Sequence, residues 1–413
     1  MFLCNKVRLI VWILSALLIG CFAGSPAAAQ IPEKVFSTDH RIDPDKKGQL
    51  SVEIDNISFF KNNEYEGKFL KGYTLPGFWL QAKAVYHPLK NIRLEAGIHG
   101  LRYWGADKYP NYGYQDIANW KSNKYQRGAH VLPYIRAQVA LSDQVNLVFG
   151  NIYGGSNHKL IEPMYSPELN LTADPEVGLQ LLYDSRYVDL DLWVDWQSFI
   201  FDLDDHQEAF IVGLSSRIKF NSPDSRWHVY IPVQGVAQHR GGEINTIYKN
   251  SVQTFMNGAA GVGLVWNANR GVLKNINFEY DVAGYYQQAG SLWPLDTGNG
   301  KYVRLSADVY DFRIKTSYWE CDDFISILGS PFYGAVSTKE EGVLFDKPAM
   351  VYFGLEYCRN FGKGFALGID LDIYNHLPVN SVSSKERIRE EVTTSFSAGI
   401  YLRINPSFFL KKF

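Results

Sequence analysis

The chain has little cysteine, four residues in 413. Cys4 and Cys21 lie in an apolar N-terminal leader, so the rest of the chain carries only Cys321 and Cys358. The strand assignment below puts these two at opposite ends of neighbouring strands, too far apart for a disulfide. No Cys/His spacing suits a zinc site. Methionine is equally scarce, at four. Neither charge sign dominates, with 41 Lys and Arg against 43 Asp and Glu, which leaves no electrostatic footprint for nucleic acid. Beyond the leader no apolar run approaches the roughly 20 residues a membrane helix needs. These absences exclude a disulfide scaffold, a nucleic-acid binder and a helical membrane protein. They do not exclude a β-barrel, whose strands bury only alternate residues.

The leader has a positive start (Lys6, Arg8), an apolar run from Leu9 to Ile19 and the small residues Ala27, Ala28 and Ala29. It reads as a signal peptide over 1–29, so the protein is exported. A rival site, Leu18-Ile19-Gly20-Cys21, would instead lipidate Cys21. Residues 30–48 are polar and read as a short periplasmic lead-in. The clearest pattern follows further on, over 174–199. There Val177, Leu179, Leu181 and Tyr183 alternate with Gly178, Gln180, Leu182 and Asp184. After a tight turn, Val188, Leu190, Leu192, Val194 and Trp196 alternate with Asp189, Asp191, Trp193, Asp195 and Gln197. Period two places each set on its own face of a hairpin.

The same alternation predicts sixteen strands: 49–60, 77–87, 91–102, 130–141, 144–153, 176–184, 187–199, 209–220, 226–239, 255–267, 274–287, 301–309, 311–320, 347–358, 364–375 and 393–404. Gly258 to Gly263, which superficially echoes a dinucleotide loop, falls inside one of them and precedes no helix. Short and long connections alternate without exception. The last strand carries Phe396, Ala398, Ile400, Leu402 and Ile404 on one face, then Pro406 and a terminal Phe413. A proline there is expected to interrupt the ladder.

Taken together, residues 49–413 resemble a Gram-negative outer-membrane porin-type β-barrel. The resemblance implies an all-β, antiparallel up-and-down transmembrane barrel of about sixteen strands, with periplasmic turns and external loops. It implies outer-membrane lipid as surroundings and, by analogy, a homo-oligomer. The terminal Phe413 resembles the C-terminal assembly signal of such barrels, although Lys411 and Lys412 depart from it.

If the apolar set faces lipid, the other set faces the lumen. That inward set includes Asp189, Asp191, Asp195, Arg217, Lys219, Glu279, Asp281, Arg304, Asp308, Arg313, Lys315, Asp370 and Asp372. Each Arg or Lys on the lipid face would cost about 2–4 kcal/mol at mid-membrane, so these charges need water or partners. They are candidates for a selective lumen, or for cross-strand pairs that stabilise the wall. The loop 154–175 resembles by position the constriction loop of trimeric porins, with Glu162, Glu168 and Asp174 as its acids. Tyr103, Trp104, Tyr112 and Trp120 crowd the second long connection and are candidate glycan contacts. Ser156 and His158 are a weak echo of a hydrolase pair, because adjacency on a loop does not supply nucleophile geometry. The expectation is therefore a protein without enzymatic activity, cofactor or metal, passing small polar solutes through a charged lumen. The alternative is a barrel that binds or assembles surface polysaccharide, and the least supported is a membrane-embedded hydrolase.

Overall fold

A computed structural model describes residues 31–104, 129–199, 207–241 and 252–413. Thirteen wall strands come first: β1 Gln49–Glu64, β2 Tyr73–Leu89, β3 Ile92–Tyr103, β4 His130–Ala140, β5 Val145–Asn151, β6 Val177–Asp184, β7 Val188–Ser198, β8 Glu208–Lys219, β9 Trp227–Gly241, β10 Gln253–Arg270, β11 Leu273–Ala289, β12 Thr297–Val309 and β13 Phe312–Asp322. A short β14 (Leu344–Asp346) precedes the wall strands β15 (Ala349–Gly362) and β16 (Phe365–His376). Next come β17 (Val379–Val382) and β18 (Arg387–Glu390), then the last wall strand β19 (Thr393–Ile404) and a terminal β20 (Ser407–Lys412). Every wall strand pairs antiparallel with its chain neighbour, and β1 pairs with β19 to close a sixteen-stranded barrel. Closure leaves no unpaired edge inside lipid, where an unsatisfied backbone group costs several kcal/mol. The three short strands β14, β17 and β18 form a separate sheet among the loops.

The alternation forces the wall apart into two surfaces. Ile98, Val131, Ile135, Leu179, Leu192, Phe278 and Phe353 are exposed on the outside, whereas Glu95, Arg136, Asp191, Glu279 and Glu356 are buried inside. Tight turns close one rim. At the β10–β11 turn Gly271 has φ 55°, and at the β12–β13 turn Tyr310 takes the same left-handed region, φ 53°. Pro406 interrupts the last strand: β19 ends at Ile404 and β20 resumes pairing at Ser407↔Glu53 along β1.

The interior is packed. Residues 152–176 and 323–346 fold into the barrel, meet in a bridge at Tyr165↔Leu328, and share an apolar core. Ile161, Met164, Phe324 and Ala335 are fully buried there. Wall amides hold these segments by mimicking a neighbouring strand. Gln234 accepts from Ile161 N (2.9 Å) and donates to Lys159 O (3.1 Å). Asn257 donates to Ile325 O (2.8 Å) and accepts from Ile327 N (2.9 Å). Gln180 does the same for Tyr153. Each amide satisfies a buried loop backbone that would otherwise lose its water without replacement.

His158 fastens the first of these segments. Nδ1 lies 2.7 Å from Asp191 Oδ2, Nε2 lies 2.8 Å from Glu176 Oε2, and the ring stacks on Trp193 at 3.6 Å. Although burial alone favours the neutral ring, the two carboxylates outweigh it and push the His158 pKa up to about 10. The His158 cation in turn holds Glu176 below the usual carboxylate range.

Within the 30–48 stretch read as a lead-in, residues 31–41 pack inside the barrel from the turn side. Ile31 and Val35 are buried against Ile57, Cys358 and Tyr401. Arg403 uses all five of its N–H donors here: Nε and Nη2 hold Asp55 (3.0 and 2.8 Å), Nη1 reaches Val35 O and Ser37 O, and Nη2 also reaches Thr38.

Two outcomes follow from these anchors. Replacing Arg403 with Ala strands the buried Asp55 carboxylate, at a cost of roughly 3–5 kcal/mol, and releases the N-terminal segment. Cys358, buried under it, is then expected to react with a thiol reagent while Cys321, under residues 323–346, stays protected. Equal protection of Cys358 in wild type and variant would refute the anchor. His158 has a folded pKa above its ordinary value of 6.5, so its stabilisation is complete below that pH. It is lost as pH rises toward 10. Thermal melts across this window should show a steeper loss in wild type than in His158→Gln, and parallel curves would mean that the histidine fastens nothing.

Candidate functional site

The thirteen inward candidates all lie on the lumen side of the wall, and most are paired. Lys219 pairs with Asp189, and also with Asp184 at 3.5 Å; Arg304 pairs with Glu279 and Arg313 with Asp308 (2.7 Å). Lys315 pairs with Glu356 (2.6 Å), and Lys61 with Asp370 (3.4 Å) and Asp372 (3.7 Å). Arg217 lies over the Tyr230 ring at 4.9 Å, Asp195 accepts from Val177 N at 2.9 Å, and Asp281 is buried. The loop acids also point inward: Glu162 accepts from Tyr302, Glu168 from Tyr73 and from Asn63 at 2.9 Å, and Asp174 pairs with His130.

Ser156 and His158 do not form a catalytic pair. The Ser156 hydroxyl accepts from Asn170 Nδ2 (2.8 Å), while both His158 nitrogens are committed to carboxylates. A ring held protonated on both sides is no base. Of the aromatic candidates, Tyr103 is buried inside β3 rather than displayed on a loop, which corrects its reading as an external contact. Trp104 is half-exposed, with Arg102 over its ring at 5.0 Å. Tyr112 and Trp120 lie outside the described residues.

A different constellation has the geometry that chemistry needs. The β3–β4 ladder ends on the loop side at Leu101↔His130, so His130 sits at the lip of the wall facing inward. Asp174, at the end of the infolded segment, accepts from His130 Nδ1 at 3.0 Å. An aspartate on Nδ1 fixes the tautomer that leaves Nε2 as the basic nitrogen. His99, two rungs down β3, faces the same interior; such diagonal neighbours lie about 7–8 Å apart. Gln81 Nε2 donates to His99 Nδ1 at 3.3 Å, which puts the ring proton on Nε2. That Nε2–H is buried and has no hydrogen-bond partner among the described residues.

His99, Gln81, Trp79 and Asp174 line a polar cavity of about 120 Å³. Lys83 and Arg136 reach the same space, and both pair with Glu95 beneath. Trp79 Nε1 donates to Asn170 O (3.0 Å), tying the infolded segment to the wall beside the cavity. The arrangement offers a carboxylate-oriented base, a neutral N–H donor and room for roughly eight to twelve water-sized groups. Among the described residues no set of three ligating side chains is arranged to hold a metal. Sequence reading missed His99 and His130 because they stand 31 positions apart, each a single neutral residue in its own strand.

Solved structures of outer-membrane proteins are similar to the chain at low identity. OccAB3 of Acinetobacter baumannii has a TM-score of 0.45 at 11% identity, covering 87% of this chain and 99% of that one. OmpT of Vibrio cholerae gives 0.46 at 10%, covering 87% and 99%. OprD of Pseudomonas aeruginosa gives 0.45 at 12%, covering 91% and 98%. The porin-type barrel stands on the strand pairing above, and nothing further rests on these likenesses. No curated protein matches the chain. A sequence family does, over residues 42–413, and its description is enzymatic. That match corrects the expectation of a protein without enzymatic activity: the chain belongs to the lipid A 3'-O-deacylase-type family.

Proposed function

We propose that the protein hydrolyses an acyl ester of a lipid A-type glycolipid in the outer leaflet, at the His130–Asp174–His99 site. The observation that carries this reading is the carboxylate-oriented histidine at the lip of the wall, whose partner Asp174 lines a polar cavity together with the buried N–H donor of His99. In porin-type barrels the long-loop rim is external, so the lip lies at the level of outer-leaflet headgroups. The family description supplies the bond type.

His130 Nε2 takes a proton from water as the water oxygen attacks the acyl carbonyl. The developing oxyanion receives the His99 Nε2–H. Collapse breaks the bond from the acyl carbon to the sugar oxygen, and the protonated His130 returns its proton to the leaving alkoxide. Free fatty acid and the de-esterified glycolipid are the products. Asp174 touches neither reactant; it orients His130 and stabilises its charged form.

A second reading, passage of small polar solutes, is favoured by the charge pairs lining the inner wall, and it requires the infolded segments to move. Incubation of the purified barrel with lipid A in mixed micelles, followed by mass spectrometry, decides the first reading. One acyl chain should be lost per molecule, and His130→Gln should slow the loss by about 10²–10⁴-fold, the usual contribution of a general base. His99→Leu should cost about 10²–10³-fold, as for other oxyanion donors. Intact lipid A after incubation with wild type, or an unchanged rate in His130→Gln, would rule out this site.

A further inference from the structure

The N-terminal segment runs from the turn-side rim into the lumen, and its deepest point is its beginning. At the rim, Gly48 N donates to His87 O at 2.7 Å; Ile31 is 2% exposed in the interior. The wall is shaped to receive it. On the Cys358↔Gly368 rung of β15 and β16, Gly368 carries no side chain. A Cβ there would come within 3.1 Å of Val35 and 3.4 Å of Ile31. Two residues further along the ladder, at Glu356↔Asp370, Glu356 accepts the backbone N–H of Ile31 at 3.2 Å. The N–H and the hydroxyl of Ser37 both bond Pro32 O (2.8 and 2.7 Å), which fixes the first turn of the segment.

With its side chain on the lower rung and its N–H on the upper, Ile31 points the preceding residue toward the loop side. A cavity of about 90 Å³ lies there. Ile31 and Pro32 border it, as do Asp370 and Asp372 of the wall and Ser166 and Pro331 of the two infolded segments. Space of this size holds roughly six to nine water-sized groups, about one glutamine side chain with its backbone. It has no room for a leader of residues 1–29.

The lining discriminates in the same sense. Glu356 is joined to Lys315, and Asp370 and Asp372 to Lys61. In such a mixed ionic network an α-ammonium finds hydrogen-bond partners, whereas an apolar leader would strip polar groups of theirs.

We propose that the mature chain starts at Gln30, and that this residue, with its free α-amino group, fills the cavity as a fixed part of the barrel interior. Hydrolysis of the Ala29–Gln30 bond by a signal peptidase adds water across it, leaving a carboxylate on the leader and the new amine on Gln30. Cleavage at this bond is then what lets the N-terminal segment seat and cover Cys358. Lipidation at Cys21 would leave residues 21–30 ahead of Ile31, more chain than the cavity admits. The assignment uses no residue of the His130–Asp174 pair and stands apart from ester hydrolysis.

The intact mass of the barrel purified from outer membranes should correspond to residues 30–413 without lipid. Two chains are then refolded, one starting at Gln30 and one carrying a Gly/Ser extension of about six residues ahead of it, and heat-modifiable gel migration confirms that each has folded. Cys358 should react with a thiol reagent at least about tenfold more slowly in the first chain than in the second, because its exposure then requires local opening. The α-amine of the first chain should escape an amine-reactive biotin ester until the barrel is unfolded; if the extended chain does not fold, this measurement decides. A lipid-modified Cys21 as first residue, an α-amine labelled equally in folded and unfolded protein, or equal protection of Cys358 in both folded chains would overturn the assignment.

Discussion

Every wall strand of this barrel must show lipid an apolar face, and the two-residue period then sends the remaining side chains inward, charges included. The rest of the structure answers that constraint. Charges displaced from the membrane gather in a confined interior, where each needs a partner. Some find one across the wall, as Arg313 finds Asp308. Others find one in chain that enters the barrel, as Asp191 does through His158, while Arg403 pairs with Asp55 across the wall and also grips the N-terminal segment. The infolded segments are therefore part of the electrostatic balance of the wall.

The same balance places the candidate site. Gln180, Gln234 and Asn257 hold the infolded backbones at fixed heights, and Trp79 holds Asn170. Asp174 lies four residues beyond that tie and meets His130 where the β3–β4 ladder stops. A pair built from one wall residue, His130, and one infolded residue, Asp174, exists only while the interior is packed. Stability of the plug and competence of the site are thus two readings of one set of contacts. The barrel end at which they meet is also where a glycolipid headgroup can approach without crossing the apolar band.

Much of the fold was legible in the sequence, for a physical reason: lipid tolerates no break in alternation, so Val177-Leu179-Leu181 and Val188-Leu190-Leu192 announce their faces without tertiary context. All sixteen wall strands and the break at Pro406 follow from local pattern. The packed interior does not, because folding inward depends on partners far away in sequence, such as Tyr165 with Leu328. A signal was nonetheless present: Ile161, Met164, Leu169 and Leu171 make residues 154–175 too apolar for an exposed loop. The inward amides Gln180, Gln234 and Asn257 carry no charge and so do not stand out among the inward residues. Ser156 and His158 drew notice by adjacency, whereas His99 and His130 become neighbours only through the register of β3 against β4.

The barrel interior is filled in its ground state, and single-channel recording in a planar bilayer tests this most directly. Inserted wild-type protein at low voltage should show a quiet baseline, with conductance far below that of an open barrel of sixteen strands. Immediate, stable ohmic steps of porin size would mean that residues 152–176 and 323–346 do not occupy the lumen. The wall charges would then lack their infolded partners, and Asp174 would no longer be held against His130.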